Sequence, residues 1–458
     1  MPSTFSGLSV ASSALAAQRR AIEATGHNIA NVNTPGYSRQ RVDLAAIDGS
    51  SIALHAGSHY QAGGVDVAAQ TRIVDQFLVN RVNTERAALG LADERQLTLE
   101  RLELAFAEPG EFGLSSELQQ FWSAWDSAAL TPEDEAARAA LLQRGAAVAG
   151  RFQSLSHEFD EMQGDVIQRA RATVTDINGI AHQLADLNIA ISAATDSGTV
   201  PNDLLDQRDQ LVRTLSEHVG VTARTDNNGL LSVSIGGAAI VAAGRVNEVS
   251  LDTSNPGGVV LRVSNSPVPL RPTGGRIEGL LQSTNVLIPE HQARIDALAV
   301  QLADVVNGQH QQGQDLDGNA AGDFFAATGA RDFSLDAAVL GRPRAIGLAA
   351  AGAGAFDGSN AVAMAELAGL DGGPDDAYRA LIAELGVSAQ TANQRLTLQE
   401  SLTTQFDAQR EAVSGVSIDE EMSNLVAFQQ AYDASARFLT AIDEMIERLI
   451  NGTGSVGR

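Results

Sequence analysis

The chain has 458 residues and a formal net charge of −25, and it contains no cysteine. Without cysteine the chain has no disulfide, thiolate metal ligand or thiol nucleophile, and because all 31 basic residues are arginine it has no lysine for a phosphate-binding loop or a Schiff base. The negative charge disfavours nucleic acid as a partner, and no apolar run approaches the roughly 18 residues of a membrane-spanning helix.

An amphipathic helix is predicted at the start of the chain. We expect it to begin after Ser3 or Thr4 and to end before the Pro35-Gly36 turn. Its apolar residues recur at seven-residue steps, which places them on one narrow stripe: Leu8, Leu15, Ile22 and Ile29.

The turn that follows this helix is unusually rich in polar residues. Asparagines before a Pro-Gly turn ordinarily satisfy local backbone groups, so we expect a local role for them, with subunit contact as the alternative. The motif residues are Asn28, Asn31, Asn33, Thr34, Pro35, Gly36 and Tyr37.

The middle of the chain predicts helices interrupted by β structure. Residues 52–67 are rich in glycine and indicate short strands or an irregular hairpin, and helical spacing returns from Ile73 to Phe106. The most regular helical spacing spans residues 148–191 and predicts a rod of about 70 Å, with residues 204–219 as its antiparallel partner.

Composition changes after this pair of helices. Short β-rich runs separated by turns predict a small β-rich insertion at 221–270. Further helices are predicted at 276–287, 289–307, 359–367 and 375–413, and residues 308–358 give few signals.

A second helix with seven-residue spacing is predicted at the end of the chain. Ser417 with Glu420 is typical of a capping box, and Asn451-Gly452 is typical of a helix end. Its apolar residues form two companion stripes, Ile418, Leu425, Tyr432, Leu439 and Ile446 on one and Met422, Ala436 and Ile450 on the other.

Both terminal stripes are narrow, and we expect the two helices to pair with each other and with neighbouring subunits. Charge favours the pairing, because residues 1–42 carry a net +3 and residues 417–451 a net −5. From spacing alone, the stripes could instead be the core-facing sides of an ordinary helical bundle.

These elements predict a mostly α, elongated, multi-domain protein with a small β-rich insertion, whose N- and C-terminal helices pair as a coiled coil. We expect a terminal coiled-coil domain from 1–45 together with 415–458. A rod-like helical domain would comprise 46–220 together with 275–414, with a short β or irregular segment near 50–70, and the β-rich outer insertion would span 221–274.

Two weak metal-site patterns are interpreted structurally. Asp315-Leu316-Asp317-Gly318-Asn319 begins like a calcium loop, but Ala320 and Ala326 occupy positions that need glycine and glutamate, so a plain turn is favoured. His55 and His59 lie in a strand or loop and would not share a helical face. No arrangement of Ser, His and Asp or of paired carboxylates stands out, so we expect no cofactor, no metal and no enzymatic activity.

The residues from Asn28 to Gln40 resemble the motif of the bacterial flagellar axial proteins, which build the rod, the hook and the hook–filament junction. Residues 417–450 resemble the C-terminal helix of the same family. Four interior segments resemble its hook-associated, hook–filament junction members: 64–67, 72–78, 202–209 and 313–325.

The resemblance implies an extracellular structural subunit at the hook–filament junction that is required for filament assembly. It implies export through the flagellar type III apparatus without a cleaved signal peptide, and partners that include further copies of the chain in a ring-like homo-oligomer, hook subunits, a second junction protein and an export chaperone. The alternatives are a hook or rod subunit and, more distantly, a hydrolase carried in the middle domain.

Overall fold

The computed structural model describes residues 4–47, 51–52, 59–60, 63–226, 229–264 and 266–452, and within them the chain is mostly α-helical, as predicted. The helices are α1 (Thr4–Ala30), α2 (Gln76–Phe106), α3 (Leu114–Leu130), α4 (Glu135–Asp196), α5 (Asn202–His218), α6 (Arg276–Gln282), α7 (Ile288–His310), α8 (Ser359–Glu366), α9 (Pro374–Ser414) and α10 (Ile418–Gly452).

The strands are short and form small antiparallel sheets. They are β1 (Gln40–Ala46), β2 (Ser51–Ile52), β3 (His59–Tyr60), β4 (Val65–Arg72), β5 (Thr222–Thr225), β6 (Leu231–Ile235), β7 (Ala238–Ala242), β8 (Arg245–Val246), β9 (Val249–Asp252), β10 (Val260–Val263), β11 (Pro269–Leu270), β12 (Gly313–Gln314), β13 (Phe325–Ala326), β14 (Ser334–Leu335) and β15 (Ala349–Ala350).

Helix α4 is the longest element and much of the core packs along it. Its 62 residues extend for about 93 Å, more than the predicted rod of residues 148–191. Most of the extra length is at the N-terminal end, where Asp134 caps the helix by accepting a hydrogen bond from the Ala136 N–H at 2.9 Å. The prediction was too short because the segment after Asp134 is rich in alanine, which favours helix without producing an apolar period.

Helix α3 was not predicted, yet it supplies the largest rings of the core. Phe121, Trp122 and Trp125 are at most 4% exposed, and they lie with Phe324 and Phe325 in one aromatic cluster. The last two come from the region 308–358, whose glycine-rich sequence gave few helical or strand signals. Burial of aromatic rings, rather than regular secondary structure, orders that region.

The β-rich insertion lies where the sequence predicted strands and is fixed to α4. Strands β5 to β8 form a four-stranded sheet in chain order, and β9, β10 and β11 form a three-stranded sheet. Asn178 on α4 bonds both backbone groups of Val249, and Asn188 bonds the N–H and carbonyl of Leu231. Two asparagines of one helix therefore anchor the two sheets.

A hairpin connects α1 to α2. Strands β1 and β4 pair antiparallel with Gln40 opposite Arg72, so the main pairing lies outside the predicted region 52–67, which contains β3 and only part of β4. Helix α2 then begins after Asp75, whose side chain accepts hydrogen bonds from the Phe77 and Leu78 N–H groups.

The predicted break between helices at Pro289 is wrong. A π-helical turn at Ser283–Leu287 joins α6 to α7, and the Ile288 N–H donates to the Ser283 carbonyl. Proline has no N–H and its ring crowds the carbonyl four residues before it, so a wider turn there lets the helix continue through Pro289.

Two antiparallel pairs of long helices complete the fold. Helix α9 packs along α2, and α10 packs along α1. The contact between the terminal helices agrees with their predicted pairing, whereas coiled-coil geometry stays a prediction. Among the helices of the described residues, none is both apolar enough and long enough to cross a membrane.

Candidate functional site: the junction of the terminal helices

The end of α1, the start of β1 and the start of α10 meet around one asparagine. Asn28 is 1% exposed. Its amide nitrogen donates to the Gln40 carbonyl at 2.9 Å and to the Glu421 carboxylate at 3.0 Å, and its amide oxygen accepts from the Tyr37 hydroxyl at 2.8 Å and the Gln40 N–H at 2.9 Å. The side chain thus makes all four hydrogen bonds available to an amide.

Asn28 bonds nearby backbone groups of Gln40, as expected, but it also has a partner that is distant in the sequence. Its partner Glu421 lies 393 positions further along the chain, and a single sequence gives no sign of such a pairing. The same side chain holds the end of α1, the start of the hairpin and the first turn of α10 together.

Arg39 adds a charged connection between the hairpin and α10. Its Nε donates to Glu421 at 2.7 Å and its Nη1 donates to Glu420 at 2.8 Å. The Glu421 side chain is 3% exposed, whereas that of Glu420 is 63% exposed. The backbone N–H of Arg39 also donates to the Ser414 carbonyl at 2.8 Å, which ties β1 to the end of α9. The predicted attraction between oppositely charged ends is confirmed in this contact.

Tyr37 keeps its proton in this setting. Burial raises the pKa of the Tyr37 phenol above its usual range, and the carboxylates of Asp203, Asp206 and Glu421 act in the same direction. The neutral hydroxyl therefore remains a donor to Asn28. We call Asn28, Tyr37, Arg39, Gln40 and Glu421, with the hydrogen bonds among them, the polar network.

Helix α5 anchors the hairpin from the other side. The Ser38 N–H donates to Asp206 at 3.0 Å, and Arg72 donates to Asp206 at 2.7 Å and to Asp209 at 2.9 Å. Both aspartates belong to the 202–209 segment, so two motifs that were distant in the sequence contact each other. The Arg72 and Asp206 side chains are 12% and 8% exposed, which makes this a nearly buried ion pair.

The turn after α1 has the expected local geometry. Asn31 donates from its side chain to the His27 carbonyl at 3.0 Å and accepts from the Thr34 hydroxyl at 3.1 Å. Gly36 has a φ of 83°, a left-handed conformation that suits glycine. The remaining turn side chains are exposed to solvent: Asn33, Thr34 and Pro35.

The predicted apolar stripe of α1 is not the face that the helix buries. Helix α1 packs on α10 and on the hairpin, and adding a Cβ to Gly7 would place it 2.9 Å from Ile442. Leu8 is 36% exposed. Leu15, Ile22 and Ile29 are half-buried. The buried apolar residues of α1 are instead alanines, which let the neighbouring backbones approach closely: Ala11, Ala17, Ala21 and Ala24.

The predicted residues of α10 divide into two groups. Leu425, Ala436, Leu439 and Ile446 are half-buried. The remaining predicted residues of α10 are exposed to solvent, as are three further apolar residues of α10 and Leu8 of α1. We call this set the open flank of the terminal helices: Leu8, Ile418, Met422, Val426, Tyr432, Phe438, Met445 and Ile450, which are 36% to 69% exposed. Whether the predicted residues form an assembly seam stays a prediction.

The two metal-site patterns resolve into local structure where the chain is described. The Asp315 carboxylate accepts hydrogen bonds from the N–H groups of Asp317 and Asn319 at 2.9 and 2.8 Å, which closes a turn. His59 lies in β3, and His55 lies outside the described residues. Across the part of the chain that the structure describes, no group of three or more His, Cys, Asp or Glu side chains could hold a metal ion.

Family models match three parts of the chain. The "Flagellar hook-associated protein FlgK helical domain" matches residues 99–325. The "Flagella basal body rod protein" model matches residues 8–37, and the "Flagellar basal body rod FlgEFG protein C-terminal" model matches residues 409–452. The two rod-type matches cover the terminal helices and the helical-domain match covers the middle.

Full-length relatives and one solved structure agree with these matches. Flagellar hook-associated protein 1 of Bacillus subtilis is 31% identical, with 100% of both chains covered. The protein of that name from Salmonella typhimurium is 26% identical over 96% of this chain and 98% of its own. The flagellar hook junction protein FlgK from Burkholderia pseudomallei has a similar fold, with a TM-score of 0.66 and 17% identity over 73% of this chain and 100% of its own.

Proposed function

Because the chain belongs to the flagellar hook-associated protein 1 family, we propose that it is a structural subunit of the bacterial flagellum that joins the hook to the filament and is required for filament assembly. The observation that carries the proposal is the open flank of the terminal helices. Exposed apolar side chains on two long helices whose ends are held by a buried polar network are suited to packing against other subunits.

The proposal includes the setting and the partners. The subunit acts outside the cell, having left it through the flagellar type III apparatus. It assembles with further copies of itself in a ring-like homo-oligomer, with hook subunits and with a second junction protein, and an export chaperone binds it beforehand. The rod-type matches at both termini support this assignment, because they cover the two helices that we propose for assembly.

We further propose a division of labour along the chain. Residues 1–45 and 415–458 form the terminal coiled-coil unit that lines the inner tube. Residues 46–220 with 275–414 form the helical rod, and residues 221–274 face outward. The extensive contacts of α1 with α10, and of the β-rich strands with α4, support this division.

A mechanical role accounts for the polar residues better than a catalytic one. His27, Tyr37 and Asp203 lie close together, but the Tyr37 hydroxyl is bonded to Asn28 inside the network and the Thr34 hydroxyl to Asn31. These groups hold a turn and two helices in place. We therefore propose that the protein is not an enzyme.

A hook or rod subunit is the nearest alternative. The rod-type models match the two ends of the chain, whereas the helical-domain model matches the middle and hook-associated relatives match over their full length. The middle of the chain therefore favours the junction.

The assembly role is tested by charging the open flank. Met422 is 47% exposed, so Met422→Asp should change the free energy of unfolding of the isolated chain by less than about 0.5 kcal/mol. In cells that lack their own copy of the gene, this variant should be exported but should restore few or no filaments. Gln430→Asp, an exposed position on the same helix, is the matched control and should restore filaments. Normal filamentation with Met422→Asp would contradict the proposal.

A further inference from the structure

A groove lies beside the polar network and shares Tyr37 with it. It has a volume of about 760 Å³ and runs between the turn after α1 and the helices α4 and α5. Its apolar surface comes from Pro35 of the turn, from Leu187 and Ala190 of α4, and from Leu211 of α5. The groove thus begins where the terminal helix α1 ends.

The titratable side chains that line the groove include three carboxylates beside His27 and Tyr37. Asp186, Asp203 and Asp206 line it, and no arginine does among the described residues. Asp206 is engaged by Arg72. Asp203 accepts a hydrogen bond from Gln40 Nε2 at 3.3 Å and lies 4.0 Å from His27, but its side chain is 64% exposed, and Asp186 is also exposed. Two carboxylates beside an apolar floor are complementary to a guanidinium flanked by apolar side chains.

One face of α1 presents that combination. Arg19 follows Leu15 by four residues and precedes Ile22 by three, so the three side chains are neighbours on the helix surface. The Arg19 side chain is 69% exposed, and Leu15 and Ile22 are half-buried. Its contact in the same chain is an exposed pair with Glu23 at 3.4 Å, which contributes little stability and can be exchanged for another carboxylate.

We propose that the groove receives the Arg19 face of α1 from a second copy of the chain. Arg19 lies between Asp186 and Asp203, and Leu15 and Ile22 cover Leu187 and Leu211. This inference rests on the proposed function, because it places one subunit of the junction relative to the next. The proposed occupant of the groove is thus a neighbouring subunit.

The absence of cysteine makes the contact directly testable. Two versions of the full chain, Asp186→Cys and Arg19→Cys, are produced together in cells that lack their own copy, and isolated flagella are treated with a short thiol-to-thiol crosslinker. A dimer should form when both versions are present and not with either alone. Asp126→Cys with Arg19→Cys is the matched control, because Asp126 is exposed on α3, outside the groove, and this pair should give no dimer.

Exchanging the charges of Asp186 and Arg19 tests the same contact by a second route that needs no crosslinker. Asp186→Arg should lower the recovery of filamented cells about fivefold, the effect of one exposed charge pair, and Arg19→Asp in the same chain should restore it. Arg144→Asp, at an exposed position on α4 outside the groove, should not restore it.

The outcomes separate this inference from the proposed function. If the Cys variants reach the hook–filament boundary but yield no dimer, or if Asp186→Cys crosslinks to a hook subunit instead, the groove contact is wrong while the junction role stands. If the unmodified chain is absent from that boundary, the proposed function itself is wrong.

Discussion

At the scale of single residues, the polar network explains why both chain ends are held at one place. Asn28, Arg39 and Glu421 are buried or nearly so and bond one another across the whole length of the sequence. The sequence indicated the turn through Pro35-Gly36 and the attraction through opposite charges. It could not indicate that Glu421 is the partner of Asn28, because local spacing does not record which distant residue a buried amide will meet.

Replacing the central asparagine tests this network. Asn28→Ala leaves the Gln40 N–H and the Glu421 carboxylate with fewer partners in a buried place, and each such loss costs about 1–3 kcal/mol. We expect the backbone amides of α1 to exchange hydrogen faster, with a free energy of local opening that is lower by about 2 kcal/mol or more. Asn33→Ala, at an exposed turn position, is the control and should change exchange by less than about 0.5 kcal/mol. Equal exchange in the two variants would show that the network does not hold α1.

At the scale of elements, apolar spacing predicted the long helices but not their full extents. Helix α4 was predicted too short because alanine carries no period, and α3 was missed although it buries two tryptophans. The two helices predicted at 276–287 and 289–307 are joined, because a π-helical turn carries the helix through Pro289. Packing of the α3 aromatic rings in the core is a tertiary feature that local spacing does not record.

The buried ring at the end of α7 makes stability depend on pH. His310 is 0% exposed; its Nδ1 bonds the Gly322 carbonyl and its Nε2 accepts from the Gly347 N–H. Burial lowers the pKa of His310 below its usual value of 6.5. As pH falls below that value, the imidazole of residue 310 takes up a proton in the unfolded chain but not in the folded chain. The contribution of buried His310 to the free energy of unfolding is therefore present above pH 6.5 and is lost as pH falls.

This dependence is measured by urea unfolding from about pH 7.5 to about pH 5.5. His310→Gln should be less stable than the original chain at the higher pH, and the difference should narrow at lower pH by up to about 1.4 kcal/mol per unit. His157→Gln, at a histidine whose side chain is 73% exposed, is the control and should show no such narrowing. A constant difference for His310→Gln would contradict the assignment.

At the scale of the whole molecule, the sequence predicted the mostly α fold, the β-rich insertion and the contact of the terminal helices. It did not predict which face of α1 is buried. Seven-residue spacing selects the large apolar residues, whereas close packing against α10 and the hairpin uses alanines and leaves Leu8 partly open. The result is a chain whose ends are paired within one molecule while apolar side chains of both terminal helices stay exposed.

The central claim is the place of this protein between hook and filament. The most direct measurement is immunogold electron microscopy of isolated flagella that carry an epitope-tagged chain, together with flagella from cells in which the gene is deleted. We expect a narrow band of label at the hook–filament boundary, and hooks without filaments after deletion. Label along the hook or in the rod, or full-length filaments in the deleted cells, would contradict the account.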